Sequence, residues 1–151
     1  MLISSSRSPS QSTRSVCKWL ASFFGCNYLN RGKRSLAELL ELGDSDPLLL
    51  VGEYHGNPSS VLIYNEGTEK VSIWMTVKAP EDKLPRRLPK PSIGGTGELS
   101  TLLSSTLSLP IVKECNHSCL MVTDETINFY GKDKVLFRFN IKSFKEYDDE
   151  K

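Results

Sequence analysis

Residues 70–78 read Lys-Val-Ser-Ile-Trp-Met-Thr-Val-Lys (KVSIWMTVK), and their alternation decides the fold class. Val71, Ile73, Met75 and Val77 fall on one side, and Ser72, Trp74, Thr76 and Lys78 on the other. This period of two belongs to a strand with one buried and one partly wet face. Upstream, apolar runs at 48–54 and 60–64 flank His55-Gly56-Asn57-Pro58, whose residue types favour a turn, so a hairpin is expected. Downstream, 120–123, 126–130 and 134–144 read as strands, with a turn at Gly131-Lys132-Asp133. Val135, Phe137, Phe139 and Ile141 share one face of the last of these. A further short strand is expected at 111–114.

Two helices interrupt the strands. Ser35 and Glu38 have the spacing of a capping box, leucines follow at 36, 39, 40 and 42, and Gly43 supplies a stop. Leu99, Leu102, Leu103 and Leu107 place one apolar face on a helix ending before Pro110. Gly94-Gly95-Thr96-Gly97 lacks the lysine and spacing of a phosphate-cradling loop and reads as a flexible helix start. Residues 80–91 hold four prolines and the pair Arg86-Arg87, which excludes regular structure and marks an exposed basic interaction loop. The expected fold is α+β: a single antiparallel β-rich domain of about six strands, with two short helices packed on it and a disordered N-terminal arm. Its boundaries are 1–34 for the arm, 35–147 for the domain and 148–151 for an acidic tail. No internal repeat is evident.

Charge sets the arm apart. The 151-residue chain carries a net +1, yet six of its 19 basic residues precede the first acidic one, Glu38. The remaining 13 face 18 acidic residues, a net of −5. Such asymmetry marks an interaction arm more often than a feature of the fold. Residues 1–15 are too serine-rich to bury enough surface to offset ordering. Residues 16–29 (VCKWLASFFGCNYL) form an amphipathic helix, polar at Lys18, Ser22 and Gly25. Its apolar face suits the lipid headgroup boundary, and flanking cations are attracted to anionic lipid. The expected membrane-binding residues are Lys18, Trp19, Leu20, Phe23, Phe24, Arg31, Lys33 and Arg34. Docking of the same face on the domain, as an extra helix, stays open. Nucleic acid is disfavoured, because no aromatic platform interleaved with basic residues is visible and the domain is acidic.

No catalytic constellation emerges, so no enzyme is expected. Cys115, His117 and Cys119 offer three zinc ligands without a fourth at recognisable spacing, and no metal or cofactor is expected. Four unevenly placed cysteines do not make a disulfide framework, which favours a reducing, intracellular setting and idle thiols. No apolar run approaches the length of a membrane span.

Residues 120–147 (LMVTDETINFYGKDKVLFRFNIKSFKEY) resemble the central strand pair of phosphotyrosine-binding and pleckstrin-homology-like domains. The layout from Arg7 to Arg34, followed by strand, loop and helix from Val71 through Leu107, is similar to small matrix proteins of negative-strand RNA viruses. That second resemblance implies a non-enzymatic peripheral-membrane scaffold linking anionic membrane to protein partners and self-associating. It would act in the virion and at the cytoplasmic face of host membranes. The first implies an adaptor-like peptide-binding module.

Overall fold

The computed structural model describes residues 1–44, 46–131 and 133–147. The acidic tail expected at 148–151 lies outside them. In chain order the elements are β1 (Leu2–Ser5), α1 (Gln11–Phe24), β2 (Asn27–Tyr28), α2 (Leu36–Gly43), β3 (Leu48–Tyr54), β4 (Asn57–Asn65) and β5 (Thr68–Lys78). Then come β6 (Ser92–Gly95), α3 (Glu98–Leu107), β7 (Cys119–Val122), β8 (Thr126–Gly131) and β9 (Lys134–Glu146).

All the strands join one sheet in the order β2-β1-β3-β4-β5-β9-β8-β7-β6. The fold is α+β and a single domain, as expected, but the sheet is mixed and has nine strands among the described residues. β1 runs parallel to both β2 and β3, and β6 runs parallel to β7. The order has a centre at the antiparallel β5–β9 pair. On each side a strand leads through a helix to a parallel neighbour and then into an antiparallel meander: β1-α1-β3-β4-β5 and β6-α3-β7-β8-β9. β2 and α2 are an insertion in the first half. The topology thus repeats where no sequence repeat was evident, because pairing and crossover repeat while side chains do not.

The N-terminal segment is not disordered. Ile3 in β1 is fully buried, and α1 packs across the same sheet face as α3. Ser10 caps α1 by accepting from the Thr13 N–H at 3.2 Å, so the helix starts five residues before the expected segment. It ends in a Schellman arrangement, with Cys26 N–H bonded to Ala21 O at 3.0 Å and Gly25 at φ 66°. Glycine is doubly required there, since a Cβ would lie 2.5 Å from the Leu88 carbonyl oxygen.

The core lies between this face and the two helices. It gathers Leu20, Phe23 and Phe24 from α1, Leu103 and Leu107 from α3, and the expected alternating residues Val71, Ile73, Met75, Phe137 and Phe139. The short α2 sits on the opposite face, where Leu39 meets Leu48 and Leu50. Its capping box, Ser35 with Glu38, forms as read from the sequence, although Asp44 rather than Gly43 takes the left-handed position.

Three further corrections follow from pairing. Residues 111–114 make only a single bridge, Ile93 to Ile111. Gly94 and Gly95 belong to β6 instead of a flexible helix start, and a Cβ on Gly95 would come to 2.0 Å from the Val122 carbonyl oxygen. β1 and β2 are too short to show an alternation, and the sheet recruits them by parallel pairing.

Candidate nucleic-acid interface

The aromatic face of residues 16–29 faces the core. Phe23 stands edge-on to Phe129 at 5.1 Å and to Phe24 at 5.3 Å, and Leu20 and Phe24 are buried. Trp19 is partly buried, its ring 6.0 Å from that of Phe137. Arg31 is buried too: its Nε donates to the Arg34 carbonyl at 2.7 Å and its Nη1 to the Ser5 carbonyl at 3.0 Å. Desolvation holds its pKa below the ordinary arginine value. Of the eight residues expected at a membrane, Lys18 and Lys33 are exposed and Arg34 partly so.

Lys18 belongs to a different surface. Arg14, Lys18 and Ser22 follow at i, i+4 spacing on the solvent side of α1, and no acidic residue occurs on that helix. The loop at 80–91 closes onto the end of this stripe. Leu88 N–H bonds to the Ser22 carbonyl at 2.9 Å, and Arg87 Nη2 donates to Asn27 Oδ1 at 2.7 Å. Arg86 and Arg87 are both exposed. The loop therefore meets α1 at Ser22, one helical turn beyond Lys18, and Arg87 reaches on to Asn27 past the end of the helix.

The second surface is the sheet face opposite α1 and α3. α2 covers only the part formed by Leu48, Leu50, Leu62 and Tyr64. Three registered rows lie beyond it: Ser60, Trp74 and Ser143; Thr76, Asn140 and Thr126; Lys78, Arg138 and Asn128. Successive rows are about 7 Å apart along the strands. None of these nine residues carries a carboxylate, and Trp74 is 39% exposed. Arg138 is held in place, its Nε donating to Asn128 Oδ1 at 2.6 Å. An exposed indole, two cations and a field of small donors and acceptors can stack a base and bond its edges. The sequence displayed half of this face, Ser72 to Lys78. The basic half on β9 could be added only once β5 and β9 were known to pair.

Among the described residues no group of acids, histidines and cysteines could hold a metal ion. Cys115 and Cys119, read as idle thiols, are joined in a disulfide. Cys17 is buried, its pKa pushed up to about 12 by desolvation, and burial raises the Cys26 thiol as well. No helix among the described residues is long and apolar enough to cross a membrane.

No family model matches the chain. It is 43% identical to a probable Brix domain-containing ribosomal biogenesis protein of Methanococcoides burtonii, over 97% of each chain. It is 34% identical to a protein of the same description from Methanosarcina mazei, over 97% of this chain and all of that one. In structure it resembles an archaeal Imp4-like protein, Mil, with a TM-score of 0.78 and 26% identity over 97% of this chain and all of the other. A probable ribosomal biogenesis protein of Aeropyrum pernix shares the fold at a TM-score of 0.73 and 17% identity. These likenesses overturn the resemblances to viral matrix proteins and to phosphotyrosine-binding or pleckstrin-homology-like domains. The membrane scaffold, its adaptor alternative, the anionic-membrane partner, the virion and host-membrane location and the exclusion of nucleic acid fall with them.

Proposed function

This chain belongs to the family of Brix domain-containing ribosomal biogenesis proteins, and from that premise we propose that it is a non-enzymatic ribosome-assembly factor that binds ribosomal RNA. The observation that carries the RNA reading is the open sheet face, with Trp74 beside Lys78 and Arg138 and no carboxylate in the three rows. Such a face favours unpaired bases, because a single strand can splay its bases onto an aromatic ring while a duplex keeps them stacked inside. The flank formed by Arg14, Lys18, Arg86 and Arg87 is proposed as a phosphate contact, which fixes position without reading sequence. In this role the loop at 80–91 is an interaction loop whose partner is RNA.

Fluorescence anisotropy with a labelled single-stranded RNA and the same sequence as a duplex tests the proposal. The full chain should bind the single strand more tightly than the duplex at moderate salt. Absence of binding to either, or equal binding to both, would refute the platform reading.

A further inference from the structure

Where β5 gives way to the loop at 80–91, a cavity of about 420 Å³ opens against β9 and the end of β8. Leu88 and Leu136 contribute apolar wall. Around them stand four cations, Lys78, Lys83, Lys134 and Arg138, and two carboxylates, Glu81 and Asp82. Lys134 and Asp82 satisfy each other at 2.7 Å, on the exposed rim.

Lys78 and Arg138 are not neutralised in this way. They are register partners on β5 and β9, and like charges directly opposite one another repel. Neither forms a salt bridge among the described residues, and the only side-chain partner of Arg138 is the neutral amide of Asn128. That bond orients the guanidinium through Nε and engages neither Nη. An oriented fork beside a mobile point charge is a phosphate-binding arrangement, and a bound phosphate would relieve the repulsion.

We propose that this cavity seats one unpaired nucleotide of a single-stranded RNA, its phosphate between Arg138 and Lys78 and its base against Leu88 and Leu136. The inference rests on the RNA-binding function proposed above and gives that function a specific seat at the end of the platform. Size argues for this occupant. The volume lies near the lower end of small-molecule pockets, whereas a partner helix about 10–12 Å across would not enter.

The test uses the full chain and a single-stranded RNA containing 5-iodouridine, with photocrosslinks mapped by mass spectrometry and affinities read by anisotropy. Crosslinks should fall within 85–88 or 134–138. Lys78→Ala, at an exposed position, and Arg138→Ala should each weaken binding about tenfold or more, with Arg138→Lys losing less. Circular dichroism checks that each variant is folded. If wild type binds RNA but Lys78→Ala leaves the affinity unchanged and no crosslink reaches the cavity, the seat is wrong and RNA binding stands. If wild type binds no RNA, both readings fail together. Adenosine monophosphate binding as tightly as the RNA would also overturn the proposal, by making the cavity a site for free nucleotides.

Discussion

The carboxylate of Glu53, at the far end of β3, accepts a hydrogen bond from the hydroxyl of Thr13 in the first turn of α1. The same Oε2 accepts from the Ser10 N–H at 3.0 Å, so α1 is closed by a residue 40 or more positions away. Asp124, just beyond β7, does the equivalent for α3: its Oδ1 accepts from the Leu99 N–H at 2.9 Å. In each half of the sheet the strand that follows a helix returns an anion to that helix's N-terminus, where the dipole also favours it.

Removing the first of these caps should cost about 1–2 kcal/mol in urea melts of Glu53→Ala at neutral pH. The bonds from Thr13 and Ser10 hold the Glu53 carboxyl below the usual carboxylate range. A depressed folded pKa gives stability that is present above the unfolded value and lost as pH falls through the folded one. Wild type should therefore lose its advantage over Glu53→Ala on acidification below about pH 4.5. A constant difference across that interval would show that the charge of Glu53 contributes nothing.

Phe23→Ala should destabilise the protein by about 3–5 kcal/mol, since the ring is fully buried among Phe24, Phe129 and Phe137. Lys18→Ala, five residues earlier and exposed, should stay within about 0.5 kcal/mol. Similar values for the two would contradict the placement of α1 in the core.

Trp74→Ala should remain folded by circular dichroism and weaken single-stranded RNA binding by about 1–3 kcal/mol, the worth of one stacked base. Equal affinities for variant and wild type would remove the indole from the interface.

The basic flank should reveal itself in salt dependence. Replacing both Arg86 and Arg87 by alanine should reduce the slope of log affinity against log salt by about 0.7 for each phosphate that they neutralise. An unchanged slope, with affinity intact, would take the loop away from the RNA.

Thiol chemistry offers a check independent of any ligand. Cys17, its pKa pushed up to about 12, should resist iodoacetamide in the native protein, because only the thiolate attacks. The unfolded, unreduced chain should take up two labels, at Cys17 and Cys26, and the reduced chain all four. Four labels without reductant would deny the Cys115–Cys119 bond.

Long alternating or periodic segments were legible because their neighbours are their own residues. β3 occupies the expected 48–54, Val71, Ile73, Met75, Phe137 and Phe139 are buried as expected, and Ser35 with Glu38 caps α2; Val135, expected on the same face of β9, is exposed where a register shift interrupts the β8–β9 pairing. Residues 16–29 were legible as amphipathic but not as core, since a helix face carrying Trp19, Phe23 and Phe24 suits lipid and a protein interior equally well. The same limit applied to the candidate interface. Trp74 showed itself on a wet face, but Arg138 and Asn140 belong beside it only through the β5–β9 register.

By itself, then, the sequence determined an α+β domain, its main strands and α2, and the wet face of β5, all by short-range periodicity and capping. Tertiary structure alone decided that the basic N-terminal segment is part of the core. It also completed the platform by placing β9 beside β5. The reason is physical: a pattern states which side of an element avoids water, and only packing and strand pairing state what that side meets.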